Sequence, residues 1–126
     1  MDEVTRNAVH RGIEETVRAC HGAATAAGWW ADTDVADRHV VPAKLCLIHS
    51  EISEAMEGHR KGLMDDHVRS RPMVEVELAD ALIRICDLAG ALGLDLGGAV
   101  VEKMAFNSTR KDHVPENRTR ENGKKY

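Results

Sequence analysis

Two acid pairs carry the chemistry this sequence could do: Glu51-Ile52-Ser53-Glu54 and Glu77-Leu78-Ala79-Asp80, the second beginning 23 positions after the first ends. Residues three apart on a helix are surface neighbours, so each pair sets two carboxylates on one helix face. If the two helices pack antiparallel, up to four carboxylates converge. Like charges that close raise one another's pKa unless a cation sits among them. Hard divalent cations take oxygen ligands of this kind, usually together with substrate phosphates. The pattern therefore points to metal-dependent phosphate chemistry. A single pair of this spacing is ordinarily a solvated helix face, and it is the repetition that gives the pattern weight.

The elements that must position these acids are helices. The chain has 126 residues, 43% hydrophobic and 30% charged, with one Tyr, one Phe, two Trp and three Pro. That size suits one domain. Abundant Ala, Leu and Glu with few aromatic or β-branched runs predicts an all-α fold. A helix is expected over residues 3–27, where Val4, Ala8, Ile13, Val17, Ala24 and Ala27 recur at helical spacing and Gly28 stops it. Trp29 and Trp30 follow, one expected to pack and the other free to stack on a flat ligand.

Pro42, at the first helical position, opens a second helix to about Leu63, with Leu45, Ile48, Ile52, Ala55 and Met56 as its apolar stripe. On the helical wheel Glu51 falls at the margin of that stripe, and Lys44 lies on the same side. The third helix, Met73 to Leu92 with Gly93 as its stop, is apolar almost all round and should sit centrally. Its narrow polar stripe is Glu77, Asp80, Arg84 and Asp87, three acids that Arg84 neutralises only in part. Asp95 caps a fourth helix to about Thr109, on which Lys103, Asn107 and Arg110 share a polar face near its end. The rest, Lys111 to Tyr126, should be an extended tail.

Net charge is −4, yet residues 103–126 carry seven basic and three acidic side chains, +4, leaving −8 on the remainder. A basic tail on an acidic body could bind nucleic acid or fold back over a polyphosphate. Without interleaved aromatics, nucleic acid is not the expected partner. No apolar run approaches a membrane span, and no basic-then-apolar N-terminus resembles a signal peptide, so a cytoplasmic protein is expected. Cys20, Cys46 and Cys86 have no metal spacing and are expected to be reduced thiols packed in the core.

At these residues the sequence resembles a family. The acid motif, together with the runs Lys44–Glu51 and Glu77–Ile85, the segment Lys103-Met-Ala-Phe-Asn107 with Arg110, and the closing Gly123-Lys-Lys-Tyr126, is similar to the compact MazG-like all-α nucleoside triphosphate pyrophosphohydrolases. The resemblance spans about residues 20–126. It implies a four-helix bundle-like architecture with a basic tail over the site. The implied reaction is hydrolysis of a (deoxy)nucleoside triphosphate to monophosphate and pyrophosphate. By the resemblance Glu51, Glu54, Glu77 and Asp80 would hold Mg²⁺, with Mn²⁺ able to substitute. Glu54, ahead of Glu51, would orient or deprotonate the attacking water. Lys103, Asn107 and Arg110 would grip the substrate phosphates, with Lys124 or Lys125 closing from the tail, and Trp29 or Trp30 would stack on the base; Lys44, on the side of Glu51, is counted among the substrate-binding residues. A homodimer or homotetramer is expected, since a thin bundle leaves apolar helix faces uncovered.

Two rivals differ in kind. A di-iron carboxylate bundle would need Glu-x-x-His pairs, and here the partners are Glu54 and Asp80. A non-enzymatic helical module with a nucleic-acid-binding tail would keep its binding after loss of all four acids and lose it steeply with salt.

Overall fold

The computed structural model describes residues 1–124, and they form helices and turns with no strand among them. The long helices are α1 (Glu3–Ala26), α2 (Val40–Lys61), α3 (Met73–Leu92) and α4 (Leu96–Ser108). An all-α fold is what the composition predicts. No helix is long and apolar enough to cross a membrane among the described residues.

The ends follow local chemistry. α2 and α3 stop at Gly62 and Gly93, whose φ of 61° and 64° lie where only glycine is unstrained. In each the next residue donates back across the last turn, Leu63 to the Gly58 carbonyl and Leu94 to Ala89. Asp95 caps α4 by accepting the Gly98 N–H. α2, however, begins at Val40 and not at Pro42. The Asp37 carboxylate accepts the His39 N–H and its carbonyl accepts that of Val40, so the turn starts earlier. Pro42 stays inside the first turn, where a missing N–H leaves no helical bond unmade. The tail also departs from expectation. Lys111–His113 form a 3-10 turn and Pro115–Arg118 a one-turn α5, with the Asn117 amide donating to the Lys111 carbonyl.

The contacts divide into two units. In the first, Glu15–Leu94, α2 and α3 form an antiparallel hairpin. The connector is held by Met73 N–H to the Leu63 carbonyl and by buried Asp65, whose carboxylate accepts from His67 and Val68. The residues buried along the hairpin are Glu51, Ala55 and Gly58 on α2 and Glu77, Ala81, Cys86, Leu88 and Ala89 on α3. Small side chains let the axes approach: a Cβ on Gly58 would lie 2.7 Å from Met73 Cγ. α1 closes on α3 in the same way, with a Cβ on Gly90 meeting His21 Cβ at 2.5 Å.

This packing corrects the expected stripe. Leu45, Ile52 and Met56 of α2 are exposed, as are Leu78, Leu82, Ile83 and Ile85 of α3. The helices meet through their acid-and-alanine faces, and their larger apolar side chains point elsewhere. α3 is therefore not enclosed all round. Cys46 is exposed too, while Cys86 is buried and Cys20 half-buried.

The second unit joins Met1–Glu14 to the chain from Asp95 onward. Its contact is at Gly97, whose N–H donates to Glu14 Oε1 at 2.9 Å and where a Cβ would come 2.7 Å from the His10 carbonyl oxygen. Val101 is buried there.

Candidate metal centre and adjoining cavity

Antiparallel packing brings three of the four expected acids together. Glu51, Glu77 and Asp80 each offer a carboxylate oxygen, and those oxygens lie within 4.8 Å of one another. Glu51 and Glu77 are 6% and 9% exposed. Ala55 and Ala81, one turn beyond Glu51 and Glu77, are the small residues that let the carboxylates meet. Glu54 is not in this cluster. It lies on the exposed side of α2, because the inward face runs through Glu51, Ala55 and Gly58.

The electrostatics of the cluster are those of acids crowded together. Burial, a hydrogen bond to Glu51 and the negative charges of Glu54, Glu51 and Asp80 push the Glu77 carboxyl from 4.5 to about 7. Glu54 is raised by its hydrogen bond to Glu51, by burial and by the Glu51 charge. Burial alone would raise Glu51 as well, but the hydrogen bond from Arg84, hydrogen bonds from Glu54 and Glu77 and the Arg84 charge hold it below the usual range. The Arg84 Nε donates to Glu51 Oε1 at 2.5 Å. Arg84 thus compensates Glu51 and leaves Glu77 and Asp80 to share what remains. An all-carboxylate donor set is the one that hard, oxygen-seeking divalent cations take. The raised Glu77 carboxyl reflects burial among like charges with Arg84 as the cation that offsets them.

Beside the cluster is a cavity of about 830 Å³, walled by α1, α2 and α3 within the same unit. Asp80 and Arg84 line it, so the acid cluster opens onto this space. Its apolar lining is Ala19, Ala23, Ala24 and Ala27 of the α1 side together with Leu47 of α2 and Ile83 of α3. Trp29, 71% exposed, stands at its edge. Trp30 is the packed one of the pair: its indole Nε1 donates to Asp87 Oδ1 at 2.8 Å. His21 Nδ1 lies 2.9 Å from the same oxygen, and its ring meets Trp30 edge-on at 5.8 Å. Lys44 lines the cavity with its ammonium 4.4 Å from the Trp30 ring centroid, a cation–π contact.

Comparison with protein-family models, with curated proteins and with solved structures finds no match to this chain.

The remaining candidates belong to the second unit. Lys103 lies 4.7 Å over the Phe106 ring. Arg110 forks onto Asp112 through Nε and Nη2, and Lys124 is 3.9 Å from the same carboxylate. Asn107 Oδ1 is buried without a hydrogen-bond partner, a condition that folded proteins seldom leave standing. Lys125 lies outside the described residues. A second group, His10, Glu14 and Asp95, also gathers potential ligands. Its two carboxylates already serve the N–H groups that open α4, which accounts for their placement.

The sequence placed Arg84 and Asp87 on the polar stripe of α3 and gave Arg84 the part of neutralising its acids, but gave Asp87 no partner and His21 no role at all. Asp87, seven residues after Asp80, was visible as part of that stripe. His21 had no such signal, since it meets Asp87 across 66 residues of chain.

Proposed function

We propose that this chain is a divalent-metal-dependent nucleoside triphosphate pyrophosphohydrolase, as its resemblance to the MazG-like family implies. The observation that supports the reading best is the buried convergence of Glu51, Glu77 and Asp80 at the wall of a cavity sized for a nucleoside. Like-charged carboxylates in a dry seam are costly, and a fold that keeps them there has a use for a cation. Glu51, Glu77 and Asp80 would hold Mg²⁺ or Mn²⁺. The ion would supply charge neutralisation and orientation of the phosphate oxygens.

The chain's own residues do the rest. Water adds to the α-phosphorus, the bond from that phosphorus to the bridging oxygen breaks, and pyrophosphate leaves with the bond's electron pair. Glu54, exposed on the α2 turn after Glu51 and with its carboxyl raised, would take the water's proton. The resemblance assigns Lys103, Asn107, Arg110 and Lys124 to the triphosphate. The exposed apolar side chains of α2 and α3, Ile52, Met56, Leu78 and Leu82 among them, support assembly with further copies into a homodimer or homotetramer. The absence of histidine from the Glu51 cluster disfavours the di-iron reading.

The test is pyrophosphate release from the eight common nucleoside triphosphates, with Mg²⁺ and with EDTA. Mg²⁺-dependent release with monophosphate as co-product is expected, and Asp80→Asn should lower it at least about a hundredfold. Full activity in Asp80→Asn, or intact substrates throughout, would refute the proposal.

A further inference from the structure

The cavity carries its own specificity element, apart from the metal acids. Asp87 Oδ1 accepts two N–H groups, from His21 Nδ1 and Trp30 Nε1. A carboxylate only accepts, so both nitrogens must carry hydrogens, and His21 is fixed as a donor at Nδ1. Neither donor reaches Oδ2. Asp87 belongs to the cavity lining, as does the exposed Trp29. The two donors lock the carboxylate in one orientation, which makes it a recognition group and not a mobile surface acid. Ala19, Ala23, Ala24 and Ala27 also line the cavity, small apolar side chains that leave room for a planar ring.

We infer that this cavity binds the base of the nucleotide and that Asp87 Oδ2 selects bases bearing an exocyclic amino group over bases presenting an imide. The inference rests on the nucleotide reading above. Its basis is electrostatic. An amino group turns N–H bonds toward the carboxylate with no oxygen on the same carbon. The ring N–H of uracil or thymine lies between two carbonyl oxygens, and in hypoxanthine a carbonyl adjoins the ring N–H. Bringing that edge to a carboxylate sets like partial charges side by side. Lys44, also in the lining, can serve a ring nitrogen or carbonyl elsewhere on the base. Adenine, cytosine and guanine are thus favoured, and uracil, thymine and hypoxanthine are disfavoured.

The experiment uses nucleosides, without phosphates, in EDTA, so that neither metal nor hydrolysis enters. Trp29 and Trp30 are the chain's two tryptophans, and both border or support the cavity, so their fluorescence reports binding. Two pairs are nearly isosteric: cytidine with uridine, and adenosine with inosine. The expected result is that cytidine and adenosine bind about tenfold or more tightly than their partners. In Asp87→Asn that gap should close, because an amide offers either a donor or an acceptor. Ala23→Leu, which adds bulk to the cavity lining from an exposed position, should abolish binding of all four nucleosides. If Asp87→Asn fails to fold, the wild-type preference and Ala23→Leu decide alone. Equal binding within each pair, a preference surviving in folded Asp87→Asn, or unchanged binding in Ala23→Leu would overturn the inference. Amino-selective binding without pyrophosphate release would leave it standing and sink the hydrolase reading instead.

Discussion

Lowering the pH from 8 to 5 should weaken divalent-cation binding at the Glu51–Glu77–Asp80 cluster about a hundredfold, because the cation and a proton compete for Glu77. With the Glu77 carboxyl at about 7, the site holds its proton half the time at neutral pH. Only the carboxylate ligates, so affinity should fall about twofold at pH 7, about tenfold at pH 6 and about a hundredfold at pH 5, relative to its high-pH limit. Binding should release about half a proton at pH 7 and nearly one at pH 6. Calorimetric titration with Mn²⁺ in two buffers of different ionisation enthalpy measures both quantities. An affinity constant between pH 6 and 8, with no proton released, would refute the reasoning. The same shift bears on the cation-free protein. A carboxyl raised in the folded state binds its proton more tightly there than when unfolded, so Glu77's contribution to stability declines as pH rises from 4.5 to about 7. A shift of that size corresponds to about 3 kcal/mol, and added cation should restore it.

Three substitutions test other parts of the argument. Glu77→Gln should make the cation-free protein about 1–3 kcal/mol more stable to urea at pH 8, by removing a crowded buried charge, while abolishing Mn²⁺ binding; lower stability would count against the crowding. Arg84→Met should tighten Mn²⁺ binding several-fold, since Arg84 now occupies Glu51 Oε1 as a competing cation; a titration showing weaker binding would contradict that competition. Gly58→Ala should cost about 1–3 kcal/mol and weaken cation binding as well, because the new methyl would strike Met73 and spread the hairpin that brings the acids together. Thermal melts with and without Mn²⁺ separate the two effects, and a neutral result in both would remove the close approach from the account.

The sequence carried the helices well where local chemistry sets their limits. α3 runs from Met73 to Leu92 as expected because Pro72 and Gly93 punctuate it, and Asp95 caps α4 through its own side chain. α2 was less legible, since Asp37 starts the turn and Pro42 merely tolerates it. The faces were legible only in part. A wheel assigns the larger apolar side chains to the interior, yet what turns inward depends on what the neighbouring helix can accept. Here Met73 lies against Gly58, and Glu51 goes in with Ala55, while Ile52 and Met56 stay out. The same geometry explains why Glu54, motif partner of Glu51, stands outside the carboxylate cluster. Choosing between Trp29 and Trp30 needed Asp87 and His21, which come from other helices.

The three acids come from one hairpin, joined by the short connector cinched at Leu63, Asp65 and Met73. Contacts so close along the chain form early and fast in folding, before distant segments need find one another. If this hairpin is formed in the folding transition state, the carboxylates are forced together there, before the rest of the polypeptide is ordered. Their repulsion opposes the nucleus itself, and not merely the finished fold. A divalent cation present at that moment would relieve it. Metal in the refolding buffer should then speed the folding limb of the kinetics as well as slow the unfolding limb, so that the ion acts as an assembly factor before it serves any chemistry.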